Sequence, residues 1–321
     1  MDKKIRADVE KVLANASIAS IRSWLKSKGK KLSANTRDRM LDRVTKLIDK
    51  GDVTFAELQD AIIGIEEAGG KYIRLFDFKE NRTPAEVTAA LGKMGIAIQA
   101  KRGPAKRNPA KPSVDYAILQ GNILRVKWSE THKEPSMDFQ ADRIIYTPVT
   151  KIIVLIANLK SKQVQIRFDR PEKFNPHSIV PGAKDAYFGH YQGQAEATLG
   201  GVKFSKSELQ NALKHLVEDQ PSLVRLHRDG HKNKRNSTFN STAGHGADIR
   251  QDEDFQAMLA KGGKTWAYEE HSFYWRPDMS KGTLEREVFS HVDALDSSLR
   301  VDADCWDAEV DYAVQKIREL Q

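Results

Sequence analysis

The chain reads as an α+β protein, with an N-terminal helical bundle, a basic Pro-rich linker and a C-terminal domain whose mainly antiparallel sheet is decorated by helices. Three observations predict this. Apolar residues recur at spacings of three and four through the first ninety positions, and strict alternation appears after residue 114. Runs of strands are then interrupted by whole helices with no βαβ rhythm. The expected division is 1–99, 100–113 and 114–321, since 321 residues exceed the usual size of one domain.

In the bundle, Val9, Val12 and Leu13 mark a first helix, and Ile18, Ile21, Trp24 and Leu25 a second that stops at Gly29. Ser33 or Asn35 is placed to cap a third, which carries Met40, Leu41, Val44, Leu47 and Ile48 and ends at Gly51. Thr54 with Glu57 forms a capping box ahead of Leu58, Ile62 and Ile65, and Gly69-Gly70 closes that helix. Tyr72 to Phe78 is extended, and Thr83-Pro84 opens a helix through Leu91 and Met94.

Charge is unevenly spread. Residues 1 to 113 hold 24 Lys and Arg against 14 Asp and Glu, and the remaining 208 residues hold 28 against 30. Clustered cations raise the local potential and release counterions from phosphate, so the first third is expected to face a polyanion. Within it, Ile21 and Leu25, the loop Lys28-Gly29-Lys30-Lys31-Leu32, and the run Asn35-Thr36-Arg37-Asp38-Arg39-Met40-Leu41-Asp42-Arg43-Val44 stand in a helix, extended loop, helix order. That order resembles the SAP-type motif, a small module that binds duplex DNA. Asn35 replaces the family's turn glycine, a tolerable exchange because Asn visits the left-handed region more readily than most residues. The resemblance implies a phosphate seat at the start of the second helix, with Lys30, Lys31 and Arg37 beside it and Lys26, Lys28, Arg39 and Arg43 extending it. The alternative is that these side chains solvate a bundle surface.

Ala100 to Ser113 carries three prolines, five basic residues and no acid, so it is expected to be extended and solvated. Lys101-Arg102, Lys106-Arg107 and Lys111 recur at steps suited to following a phosphate backbone. The same run would serve as a nuclear localisation signal in a eukaryotic host, or simply as a spacer.

Beyond it, Ile123 to Trp128, Arg143 to Thr147, Lys151 to Ala157 and Val164 to Phe168 are strand candidates, the last two joined as a hairpin. Ala183 to Leu199 reads as a helix, and Ser205 with Glu208 as the capping box of another through Leu209, Leu213 and Leu216. Strands are expected at Leu223 to Leu226, Thr265 to Tyr268, Phe273 to Trp275 and Glu287 to Val292, with a final helix from Trp306 to Leu320. A basic helical module followed by a strand ending in Trp128 and a helix-decorated sheet is similar in architecture to the inner-kinetochore family that reads the centromeric nucleosome.

Candidate chemistry is sparse. Arg228, Lys232, Lys234 and Arg235 make the stretch from His227 to Asn236 a basic loop able to touch phosphate or simply a flexible surface loop. His227, His231 and His245 suggest a metal, but Gly230 opposes a helix that would present the first two together, and the intervening cations would repel an ion. Glu269-Glu270-His271 and Glu285-Arg286-Glu287 are accounted for as strand surface charge. A nuclease would need converging carboxylates and a Lys; Asp115, Glu269 and Lys264 are available only by selection. No nucleophile elbow, HExxH or Walker sequence is present, and Cys305 is expected to be a packed residue.

A single cysteine allows no intramolecular disulfide and no Cys-built zinc site. The start Met1-Asp2-Lys3-Lys4-Ile5-Arg6 lacks the apolar core of a secretory signal, and the longest apolar run, six residues from Ile152 to Ala157, is far below the ~20 needed to span a bilayer. The expectation is a non-catalytic protein without cofactor or metal that grips DNA, duplex above all, with the C-terminal domain as a second DNA or protein-partner surface. It would be cytoplasmic or nucleoid-associated, or nuclear in a eukaryote. A metal-dependent nuclease and a subunit that binds an acidic protein are the alternatives.

Overall fold

The computed structural model describes residues 3–14, 16–30, 34–106, 109–138, 143–169, 183–232, 238–262 and 267–321. The chain divides into two compact units, one made of Met1–Gly70 with Glu208–Gln321 and the other of Lys71–Ser207. Neither division falls in the 100–113 segment expected as a boundary. Its described residues, 100–106 and 109–112, belong to no helix or strand, as its composition predicts, and the segment lies between two elements of the second unit.

The first unit opens with α1 (Lys3–Leu13), α2 (Ile18–Ser27), α3 (Arg37–Asp49) and α4 (Phe55–Ala68). Their stripes bury Val9, Leu13, Ile21, Trp24, Leu25, Met40, Leu41, Val44, Leu58 and Ile62 in one core. Gly29 and Gly51 take positive φ just beyond α2 and α3, the left-handed turn that glycine permits. The cap of α3 is Thr36, not Ser33 or Asn35. Thr36 immediately precedes the first helical residue, so its hydroxyl reaches the Arg39 amide at 3.4 Å, while Ser33 lies outside the described residues. The Thr54–Glu57 capping box of α4 is present.

In the second unit, β1 (Lys71–Asp77) is followed by α5 (Pro84–Lys93), β2 (Ser113–Gln120), β3 (Ile123–Asp138), β4 (Arg143–Asn158), β5 (Gln163–Asp169), α6 (Ala183–Thr198) and the short β6 (Ser205–Lys206). The strands pair antiparallel in the order β2-β3-β4-β5-β1, with β6 on β1. Arg143 to Thr147 and Lys151 to Ala157 are one strand rather than two. Leu124, Val126, Trp128, Ile153, Leu155, Ile166 and Phe168 share a core with Phe188, Tyr191 and Ala195 of α6 and with Val87 and Leu91 of α5. Ser205 starts no helix: it pairs with Asp77, and Ser207 donates to the Leu75 carbonyl at 3.1 Å.

The chain then returns to the first unit with α7 (Gln210–Glu218), β7 (Val224–Lys232), β8 (Thr238–Thr242), α8 (Glu253–Gly262), β9 (Ala267–Trp275), β10 (Val288–Asp293), β11 (Ser298–Val301) and α9 (Asp307–Glu319). These strands run β11-β10-β9-β7-β8. Tyr268 and the segment Phe273 to Trp275, expected in separate strands, both belong to β9. The α+β class is as the alternation predicted, although the N-terminal helices and the C-terminal strands belong to one unit. No described helix is long and apolar enough to cross a membrane.

Candidate functional site

The basic residues singled out from the sequence are largely engaged within the protein. Lys26 pairs with Glu285 at 2.9 Å, Lys28 with Glu57 at 3.0 Å and Lys30 with Asp52 at 2.7 Å. Arg37 donates from Nη1 to the Leu13 carbonyl and from Nη2 to the Ala16 carbonyl at 2.8 Å, so it ties the α1–α2 turn to the start of α3. Arg39 is exposed at the first turn of α3, and Arg43 is half-buried. Lys101, Lys106 and Lys111 are exposed and Arg102 is half-buried, while Lys106 also donates to the Val114 carbonyl and, from its amide, to Asp115. Lys31, Arg107, Lys234 and Arg235 lie outside the described residues.

Residues 227–232 are not a loop. They form the second half of β7, and the pairing of this strand with β9 gives Arg228 and Lys232 acidic neighbours, Glu270 at 3.8 Å and Glu269 at 3.6 Å. His227 packs edge-on against Tyr274 and Phe289, and His245 is exposed. The three histidines that the sequence suggests as a metal set therefore stand in different surroundings.

A different set converges. Asp229 and His231 on β7 meet His271 on β9, and all three side chains are 0% exposed. The reason is local. Val224 and Leu226 face the interior in register with Trp275 and Phe273, but β7 carries one extra residue between Leu226 and Arg228. That bulge shifts the strand's alternation by one, so Asp229 and His231 inherit the inward direction. Asp229 then stands directly opposite His271. Gly230 separates them on β7 because a Cβ there would lie 2.9 Å from the Glu270 carbonyl oxygen and 3.0 Å from Asn240 Oδ1.

The Asp229 Oδ2 atom is 2.5 Å from His231 Nε2, and Oδ1 is 2.5 Å from His271 Nε2. Both carboxylate oxygens and both His271 nitrogens are buried without a hydrogen bond of acceptable geometry. Burial drives the Asp229 pKa up, but the two imidazoles more than reverse this by contact and by charge, holding the carboxyl at about 2. Tyr268, opposite His231 in the register, stacks on His271 with centroids 5.4 Å apart and meets His231 edge-on at 4.6 Å. Its hydroxyl donates to Glu218 of α7, and burial followed by that carboxylate raises its pKa. The one ligand atom offered by each of Asp229, His231 and His271 lies within 4.8 Å of the others, a spacing that permits a shared metal ion.

No local pattern in the sequence identifies this set. His227 and His231 invite a helical i, i+4 reading, whereas a strand unites Asp229 and His231 at i and i+2. His271 has the look of surface charge beside Glu269 and Glu270, and only the pairing of β7 with β9 brings it in. Of the nuclease residues, Asp115 accepts from Ser129 at 2.8 Å, Glu269 pairs with Lys232 at 3.6 Å, and Lys264 is outside the described residues. Cys305 is buried, and burial raises its thiol pKa, so it is packed rather than reactive.

No protein-family model matches the chain, and no curated protein matches it either.

Proposed function

We propose that this chain is a non-catalytic DNA-binding protein that holds the phosphate backbone through cations of its N-terminal third, with the strand-rich remainder offering a second surface to DNA or to a protein. The observation that carries this reading is the charge distribution. Residues 1–113 contain ten more cations than anions, and every ionisable side chain from 100 to 113 is basic. Exposure of Arg39, Lys101, Lys106 and Lys111 supports it. Lys26, Lys28 and Lys30 support it less directly, since each would exchange a carboxylate for a phosphate; such surface pairs are worth at most about 1 kcal/mol and yield readily. Recognition of this kind follows the backbone and selects sequence weakly.

The buried Asp229–His231–His271 group does not favour the nuclease alternative, because a metal acting on a polymer needs an accessible coordination position. The test is fluorescence anisotropy of a labelled duplex of about 30 base pairs with the full-length protein across a salt series. The reading expects binding that weakens steeply with salt. A Lys101→Ser/Lys106→Ser/Lys111→Ser variant should show a shallower slope, by roughly one unit for each phosphate it no longer neutralises. A duplex left unbound at low salt refutes it.

A further inference from the structure

We propose that Asp229, His231 and His271 bind one divalent transition-metal ion of the zinc class, and that the ion is structural, fastening β7 to β9. Three independent features of the group point to a cation. The first is convergence: a carboxylate and two imidazoles from two adjacent strands direct their ligand atoms to one volume, all within 4.8 Å of one another. The second is the burial of a charged, closely spaced group. Each side chain is fully enclosed, and neither Asp229 oxygen nor His271 Nε2 has a hydrogen bond of acceptable geometry, even though Oδ1 and Nε2 are only 2.5 Å apart. A buried carboxylate is costly unless paired or metal-bound, and a 2.5 Å approach is shorter than the 2.7–3.2 Å of ordinary N–H···O bonds.

The third is support around the ligands. The Tyr268 ring lies against both imidazoles and is anchored by its hydroxyl to Glu218, which fixes the ring that orients His231 and His271. Two backbone irregularities serve the same end: the extra residue after Leu226 on β7 turns Asp229 and His231 inward, and an extra residue on β9, Glu269, opposite the Gly230–His231 step sets His231 opposite Tyr268. Bulges of this type commonly re-aim side chains at functional positions.

The donor set identifies the ion's class. Two imidazole nitrogens with one carboxylate and no thiolate suit zinc and its first-row neighbours, whereas calcium and magnesium take oxygen ligands. All three side chains are at 0% exposure, and an ion enclosed in this way suits a structural role that fastens strands rather than a catalytic one. The site is independent of the DNA-binding reading, because none of its residues is among the cations assigned to phosphate.

The experiment uses the full-length protein. Metal content is measured after purification; the protein is then stripped with a chelator, and zinc alone or cobalt(II) alone is added back. The expected result is about one zinc per chain, a Tm that falls on stripping and recovers with zinc, and a visible cobalt(II) absorption band. Asp229→Asn and His271→Gln should abolish the band and the zinc-dependent rise in Tm. If either variant fails to fold, the wild-type zinc and cobalt titrations decide alone. A stripped protein whose Tm is indifferent to zinc and which gives no cobalt band overturns the proposal, leaving the group as a carboxylate shared by two imidazoles.

Discussion

Asp229 and His271 oppose each other across the ladder between β7 and β9, and a single extra residue at His227 is what turns Asp229 toward its partner. Without the bulge, Val224 and Leu226 would set the inward parity, and positions 228, 230 and 232 would point in: Arg228, Gly230 and Lys232 in place of Asp229 and His231. A one-residue irregularity thus decides whether this end of the strand is a buried polar centre or a solvated basic edge.

Gly69 should tolerate no side chain. A Cβ there would sit 2.3 Å from the Ala303 carbonyl oxygen and 3.1 Å from that of Cys305, both backbone atoms that cannot swing aside. Gly69→Ala is expected to cost at least about 2 kcal/mol, read as a lower urea midpoint with an unchanged slope. A variant as stable as the parent would show that α4 approaches the segment before α9 more loosely than these distances imply.

Glu57 ties acid stability to the α4 cap. Its carboxylate accepts from the Thr54 amide at 2.9 Å and from Lys28 at 3.0 Å, and these bonds, the backbone one first, bring its pKa from the usual 4.5 to about 2. A lowered carboxyl pKa contributes stability that is complete above about 4.5 and lost as pH falls toward about 2. Glu57→Gln should flatten the stability profile in that window and leave it parallel to the parent above pH 5. Thr54→Ala should cost about 1 kcal/mol at neutral pH. Thermal unfolding between pH 2 and 7 tests both.

Under the proposed DNA-binding reading, Arg37 and Arg39 separate structure from recognition. The Arg37 guanidinium is tied to the Leu13 and Ala16 carbonyls, so Arg37→Ala should lower Tm by several degrees. Arg39 is exposed, and Arg39→Ala should leave Tm within about a degree while weakening DNA binding and reducing its salt dependence. The opposite pattern, affinity lost at Arg37 with no change in Tm, would place the phosphate seat where the SAP-like order puts it and remove the structural role of that guanidinium.

Local signals are legible in the sequence because they are carried by adjacent residues. Thr54 with Glu57 specifies its capping box within four positions, Thr83-Pro84 marks the start of the next helix, and Gly29 and Gly51 mark turns by conformation alone. The β4–β5 hairpin is equally readable, since Asn158 Oδ1 accepts from the Lys160 and Ser161 amides within the turn itself. Ser205 shows where such reading fails: the pattern Ser-x-x-Glu is present, but pairing with Asp77, 128 positions earlier, claims its backbone first. The Asp229 centre needs two facts that no local window holds, a bulge that reverses parity and a partner strand some forty residues away. The described residues of 100–112 take no helix or strand, as their composition predicts, but the chain divides after 70 and after 207 instead, because composition reports what a stretch cannot form and not where the cores divide.

The interrupted course of the first unit also sets a timetable. Its opening 70 residues are synthesised long before residues 208–321, with the 137 residues of the other unit in between. At 5–20 residues per second, the nascent helices wait roughly ten seconds or more for the strands and the last helix that complete their unit. During that interval the intervening unit has its whole sequence available and the first does not, so the middle of the chain is able to complete its unit before the residues that flank it.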